Sequence, residues 1–589
     1  MIVLLQQGTL RGYARTFQPL SKLLRRFRRP IPLVYLIYLF AALIGGMLHA
    51  PSNYDALCYR LPRVLHWWSQ GGWHWIGGVN IRMDYSATGF EWLGAPLLIL
   101  FKTDRLLFLI NVISYALLPG LIYSVLAGLG IQRRVAWYWM WLLPTAYCFI
   151  LQAGSIGNDM FASVYFLASA TFALRAVKMS SWSYAVLSLL AVGLMTGAKA
   201  SNLPLLLPLV FLMTGMVKIL LGKPLKSLFL LIIAGCVSFL PIALMNIHHT
   251  GDWTGDPNNS EKMKIYNPAA GLTGNLLELS VGALVPPVFP MAKSYNIAIA
   301  PWFLKEPLRS IRDQYPRVSL SVGELATEEG AGLGVGLLIL CCAGMCFSVV
   351  RKFQGGFSQP AMIFGLLTCS ALAVFMAKIG SESAARLASP YYVGIIIPLL
   401  SFRSQGLLIS KRWWRLLALA CALSVLPALL LNPARPLVSS HLLIDAAKSL
   451  HVSEPVVTRI KNIYSVYGKR SDSLVEIREH LPSGSKRIGF AGTGNESEYS
   501  LWKPFGKKVV VDAGSDGGAD ATTGQVDCIV GSEEGIWARF GLSAHAYAGS
   551  IGGVIARKCR IPIMAGKEPS PWFVIVPGVE GHFSIPNHP

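Results

Sequence analysis

A mainly α-helical, polytopic transmembrane bundle with a small C-terminal extracytoplasmic α/β domain is the fold class this sequence predicts, and three observations predict it. Apolar residues fill 53% of the 589 positions and charged residues only 14%, and the mean hydropathy of +0.49 is too high for a soluble chain of this size. Apolar runs recur along the chain, many of them roughly the 17–25 residues that a bilayer-crossing helix needs. From about Ser440 onward the composition changes to that of a soluble domain.

The net charge of +22 raises the question of a nucleic-acid partner. The basic residues cluster instead in short loops between apolar runs, where they set orientation and meet anionic headgroups, so no nucleic acid is expected. The first segment, residues 1–30, is a basic tail carrying Arg11, Arg15, Lys22, Arg25, Arg26, Arg28 and Arg29. The run behind it, Ile31–Ala50, is longer than a signal-peptide core and reads as a retained first helix with the tail in the cytoplasm.

Parity orders the remaining spans. Glu91–Phe101 has about ten apolar residues interrupted by Pro96, too short to cross, and is expected to be re-entrant or interfacial. Residues 51–105 then form one external loop. Spans follow at Leu106–Gly130, Val135–Gln152, Met160–Leu174, Tyr184–Gly197, Leu203–Leu221, Leu228–Ile247, Gly332–Val350, Ala361–Ala377, Tyr391–Phe402 and Leu416–Leu431. This count of about eleven puts Arg133-Arg134, Arg175, Lys223, Arg351-Lys352 and Arg412 inside, as the positive-inside rule requires. It leaves the C-terminal domain outside a multi-pass membrane protein. The transmembrane module covers 31–435, with a second external loop at 248–331 expected to be a partly ordered cap or gate.

Residues 436–589 form the soluble domain. Arg487–Ala491, Lys508–Asp512, Val526–Val530 and Trp572–Pro577 read as short strands between helical or turn segments. Gly492-Thr-Gly494 after the first strand is a weak phosphate-loop signal. Most cysteines lie in apolar runs and act as small hydrophobes. Cys528 and Cys559 are able to pair in an oxidising compartment, and the sequence leaves that open.

The chemistry concentrates in residues 51–75, where a carboxylate (Asp55), Arg60, Arg63, two histidines and four tryptophans follow directly on the first span. Aromatic residues favour the bilayer surface, which does not account for a lone Asp. Asp55, Tyr59, Arg63 and His66 stand at i, i+4, i+8 and i+11, so one helix through Pro62 would align them on a face; Pro62 weakens that helix. The plain alternative is a juxtamembrane helix lying flat on headgroups.

Tyr54-Asp55-Ala-Leu-Cys-Tyr59-Arg60-Leu-Pro62-Arg63-Val-Leu-His66-Trp67 resembles the first-loop motif of GT-C membrane glycosyltransferases, the superfamily of protein O-mannosyltransferases and lipid A aminoarabinose transferases. Arg60 stands where the bacterial pattern has His. The resemblance, over about residues 30–430, implies an enzyme using a polyprenyl-phosphate sugar donor outside the cytoplasm, in a bacterial inner membrane, with Asp55 as a catalytic acidic residue. It further implies that Asp159 binds a divalent metal such as Mg or Mn, together with Asp55, or orients the acceptor. It places Arg386 ahead of a Pro/Tyr-rich helix. No cofactor beyond that metal is implied.

Parity places Asp55, Asp159, Lys199 and Arg386 on one membrane side. The competing local readings are an N-cap for Asn158-Asp159, a snorkelling side chain for Lys199 and an i−4 salt bridge from Glu382 to Arg386. Tyr59, Arg60, Arg63, His66, Lys199 and Arg386 are the candidate substrate-binding residues. Asp55 and Asp159 are the candidate catalytic ones. The expected reaction passes a sugar to a hydroxyl on a glycan, lipid or protein acceptor with inversion, Asp55 acting as general base. The alternative from another class is a transporter or flippase of a lipid-linked glycan, which is expected to carry midplane charges in broken helices and repeated halves.

Overall fold

The computed structural model describes residues 27–514, 526–562 and 569–577; the basic N-terminal tail falls outside them apart from 27–30. Helices dominate, and among the described residues six are long and apolar enough to cross a membrane: Pro30–Leu48, Leu109–Gly128, Asp159–Met179, Ala200–Leu221, Gln359–Lys378 and Arg412–Leu430. Pro224–Cys236 and Leu240–Thr250 add a seventh if taken as one span bent by 58°. The bend has a cause: Pro241 in the first turn of the second piece lacks an N–H to continue the ladder.

The eleven expected spans are therefore not all present as full-length helices. Trp182–Ala198, Val335–Val350 and Ser389–Ser401 are shorter apolar helices. The run expected over 135–152 is broken into Arg133–Leu142, a 3₁₀ turn at Leu143–Thr145 containing Pro144, and Tyr147–Ile150. Glu91–Phe101 is a helix of 11 residues, about 17 Å long at 1.5 Å per residue, well short of the ~30 Å hydrocarbon core. That agrees with its reading as a non-crossing piece.

The first helix shows how the bundle is built. Val34, Tyr35, Tyr38, Ala42 and Gly45 face inward, while Leu33, Ile37, Phe40, Ile44 and Met47 are exposed on the opposite face. A helix apolar all round is one whose outer face meets lipid. The buried phenols are satisfied: Tyr35 donates to the Tyr115 carbonyl at 2.7 Å and Tyr38 to the Ala422 carbonyl at 2.5 Å, as hydroxyls removed from water require.

The C-terminal domain carries a five-stranded sheet in the order β2-β1-β3-β5-β4, with β1 Arg487–Ala491, β2 Val509–Asp512, β3 Cys528–Ser532, β4 Val554–Ile561 and β5 Ser570–Val576. Strands β2, β1 and β3 run parallel; β5 is antiparallel to both β3 and β4. Four strands match the sequence reading. Strand β4 escaped it because it is a largely exposed edge carrying Arg557, Lys558 and Arg560, a composition that protects an edge from further pairing and masks the apolar alternation. Cys528 on β3 and Cys559 on β4 are both free thiols, separated by β5.

This domain is not a loose appendage. Leu57, Leu61, Val64, Leu65 and Trp67 of the first loop share one buried core with Ile488, Phe490, Trp502, Val510 and Trp572. Each such fully buried side chain contributes about 1.5–3 kcal/mol. The second loop, 248–331, contains the helices Pro268–Leu284, Ala292–Ile299 and Leu308–Gln314. Its end bonds to both modules: Asn53 donates to Glu328 at 2.6 Å and Arg470 to Glu329 at 2.6 Å.

Candidate active site

Local structure around Asp55 differs from the single helix the spacing predicts. Ala56–Arg60 is a π-turn, with the Leu61 N–H donating to the Ala56 carbonyl, and the α-helix begins only at Leu61. Pro62 falls in the first turn of that helix, where a missing N–H is harmless. The wide turn inserts one residue relative to an α-helix, a rotation on the order of 100°, so Asp55 leaves the face that carries Arg63 and His66. Such π-turns are often found at functional sites.

The rotation brings Asp55 to three residues distant in sequence. Arg386, at the start of the helix pair Ala384–Leu387 and Ser389–Ser401, donates from Nη2 to Asp55 Oδ2 at 2.8 Å, and its Nε lies 3.6 Å from Asp159 Oδ2. Lys199 Nζ sits 2.5 Å from Asp159 Oδ1. Two carboxylates and two cations thus form one chain: Asp55, Arg386, Asp159, Lys199. Glu382 does not pair with Arg386; its Oε2 is 3.3 Å from Arg317 Nε.

Neutral side chains hold these four in place. Gln152 accepts from the Met160 N–H at 3.1 Å and donates to Asp159 Oδ2 at 3.2 Å. The Asn158 side chain caps nothing; it donates to the Ala198 carbonyl at 3.1 Å and so ties the Asp159 turn to the Lys199 turn. Gly89 donates to the Gly197 carbonyl at 2.7 Å, and a Cβ on either glycine would collide with backbone. Small residues are what allow the first loop to approach Lys199.

Burial alone would raise the Asp55 pKa. The Arg386 guanidinium, then Lys199, Arg60 and Arg82, outweigh it and hold the carboxyl well below the usual carboxylate range. Its side chain keeps 22% exposure, and among the described residues Oδ1 accepts no hydrogen bond. One oxygen is therefore open to an incoming group while the other is anchored.

The remaining sequence candidates divide. Arg60 is buried beside this cluster: it donates to Asn53 at 2.8 Å and lies 5.4 Å from the Phe90 ring centre. Its Nε and Nη1 find no acceptor among the described residues. Tyr59 packs with Cys58 and Met83 beneath the Arg82 guanidinium, 5.2 Å from its ring centre. Arg63 is not brought to the site. It is fully buried and donates to the carbonyls of Met83, Ser86 and Ala87 and to Glu91 at 2.6 Å, stitching the first loop together. His66 is also elsewhere, 2.8 Å from Glu498 in the interface with the C-terminal domain.

Sequence reasoning passed over Arg82, Asn53 and Gln152. Arg82 donates to the Gly494 carbonyl at 2.7 Å and to Asn495 at 3.2 Å, while Tyr54 donates to the Asn495 carbonyl at 2.5 Å. The 492–495 loop after β1, the weak phosphate-loop signal, is thus occupied in gripping the first loop. No spacing or motif marks these residues; a polar side chain in or beside an apolar run is the one signal they offer.

A divalent metal shared by Asp55 and Asp159 does not fit this donor set. No group of three or more His, Cys, Asp and Glu side chains able to hold one occurs among the described residues, and the carboxylates are bridged by Arg386 and held by Lys199.

Fold and site together define a polytopic helical bundle with a four-residue charged cluster at the loop-bearing end of its spans. No protein-family model matches the chain, and no curated protein matches it either. Among solved structures it is similar to ArnT from Cupriavidus metallidurans bound to undecaprenyl phosphate, at 12% identity and a TM-score of 0.45 over 92% of this chain and 97% of that one. The apo state of that protein is matched at 12% identity and a TM-score of 0.39 over the same shares. The Archaeoglobus fulgidus oligosaccharyltransferase tethered to an acceptor peptide is matched at 14% identity and a TM-score of 0.37, over 86% of this chain and 70% of that one.

Proposed function

We propose that this chain is a GT-C-like membrane glycosyltransferase that moves a sugar from a polyprenyl-phosphate donor to an acceptor hydroxyl on the extracytoplasmic face. The observation that carries the reading is Arg386 joining Asp55 to Asp159, with Lys199 on the far carboxylate. The first-loop motif around Asp55 supports it, being a sequence signal independent of the geometry.

The chemistry follows from the residues. The acceptor hydroxyl gives its proton to Asp55 Oδ1 as its oxygen bonds to the anomeric carbon. The bond from that carbon to the phosphate oxygen breaks, and its electron pair leaves with the phosphate. Charge gathers on the leaving group, where Arg386 and Lys199 offset it. One cation about 4 Å away at an effective dielectric near 20 is worth on the order of 4 kcal/mol. Arg60, with two unpartnered N–H groups beside the cluster, is a further phosphate contact. A single displacement inverts the sugar.

The transporter reading has less support. The bent span breaks at Val237, Ser238 and Phe239, so no charge lies at the break, where a transporter is expected to place its substrate site. The test uses wild-type protein in proteoliposomes with a radiolabelled polyprenyl-phosphate sugar and a set of hydroxyl acceptors. Label transferred to acceptor, with polyprenyl phosphate released, supports the enzyme. Intact donor moving between leaflets with no bond broken overturns it.

A further inference from the structure

A cavity of about 990 Å³ lies away from the Asp55 site, lined among the described residues by five arginines, Arg29, Arg133, Arg134, Arg412 and Arg415, and by no Asp or Glu. Arg29 precedes the first helix, Pro30–Leu48, and Asp55 follows that helix's other end. The helix is about 28 Å long at 1.5 Å per residue, so the two sites lie at opposite ends of the bundle.

Loop arginines at this end would satisfy the positive-inside rule without any cavity. Three features go further. Arg29, Arg133, Arg134 and Arg412 are exposed, and among the described residues none of the five pairs with a carboxylate. The inner wall is apolar and aromatic: Trp141 is buried against Tyr35, and Tyr138 packs edge-on against Trp414. Among the described residues the buried Trp141 Nε1 has no hydrogen-bond partner. A cationic rim over an aromatic, tail-accepting wall suits a ligand with a phosphate head and a hydrocarbon chain.

We propose that this cavity is a second lipid site, binding the phosphate headgroup of an anionic lipid at the membrane face opposite the Asp55 cluster. The proposal stands apart from the glycosyltransferase reading. Phosphate is the shared chemistry of two sources, an acyl phospholipid and a polyprenyl phosphate, and the test separates them.

Full-length protein, purified and equilibrated with phosphatidylglycerol, undecaprenyl phosphate or phosphatidylcholine, is examined by native mass spectrometry for retained lipid. The wild type is expected to retain one or both anionic lipids and not phosphatidylcholine. Arg133→Gln, Arg134→Gln and Arg412→Gln together should weaken that retention on the order of a hundredfold, from the usual effect of three basic residues near a membrane surface. Arg→Lys at the same positions should keep most of it, and Lys223→Gln with Lys226→Gln, in a basic loop outside the cavity, should leave it unchanged. With undecaprenyl phosphate the triple Gln variant should lose one bound molecule and Arg386→Met a different one, so failure at one site is distinguishable from failure at the other. Equal retention of phosphatidylcholine, full retention by the triple Gln variant, or an equal loss in the Lys223/Lys226 control overturns the proposal.

Discussion

Asp55→Asn separates the roles this carboxylate has in the cluster. The amide keeps an oxygen for the Arg386 bond at 2.8 Å but loses the basic oxygen and the charge. Arg386 is not orphaned, because Asp159 remains 3.6 Å from its Nε. The stability cost should therefore stay near that of a partly exposed ion pair, about 1 kcal/mol. Loss of a general base lowers the rate about 10²–10⁴-fold, which is roughly 3–5 kcal/mol of barrier. The rate effect exceeds the folding effect, so the variant should purify normally, bind donor normally and transfer slowly. The assay is initial-rate transfer from the labelled donor in proteoliposomes, with donor binding measured in parallel. A rate within tenfold of wild type removes Asp55 as base; normal turnover with donor binding lost would make it only a counterion for Arg386. The pH profile adds a check. Because the Asp55 pKa is lowered, the carboxylate stays deprotonated as pH falls, and its acid limb should lie below the ordinary Asp value of about 3.9.

Arg386→Met should leave Asp55 with no cation in contact and Asp159 with Lys199 alone, at a cost between the ~1 kcal/mol of a partly exposed pair and the ~3–5 kcal/mol of a buried one; adding Asp55→Asn should restore part of the thermal stability, and strict additivity would refute the coupling. Burial alone would lower the His66 pKa, and the Glu498 carboxylate outweighs it and raises it. Its folded pKa is raised, so its stabilising contribution is complete below the unfolded value near 6.5 and is lost as pH climbs through the folded value. Proteolysis between the bundle and the C-terminal domain should accelerate as pH rises through that folded value, and Glu498→Gln should abolish that dependence. Arg82→Met should loosen the grip of the 492–495 loop on the first loop, raising amide exchange at residues 54–60 while leaving the sheet protected; unchanged exchange would show the contact to be passive. Single cysteines at Ser86 and Gln132 should label from opposite sides of intact cells with an impermeant reagent, Ser86 from outside; the reverse pattern would invert the topology.

Composition and local pattern were enough for the class of molecule. Long apolar runs become helices because lipid leaves no other way to satisfy the backbone, and four of the five strands show themselves as short apolar runs between turns. The identity of Asp55, Asp159, Lys199 and Arg386 as notable charges was legible too, since a charge beside a span is costly unless it has a partner. What the linear chain withholds is which charge meets which. Glu382 stands one helical turn before Arg386 and was the local partner, yet Arg386 reaches Asp55, 331 positions away. A π-turn no propensity foretells turned Arg63 and His66 away from the cluster and assigned them to the loop and the interface. The ion pairs, the shared core under the C-terminal sheet and the arginine cavity at the far end arise between segments distant in sequence. Only packing decides distances of that kind, because no local rule of helix or strand connects residues that touch solely when the whole bundle closes.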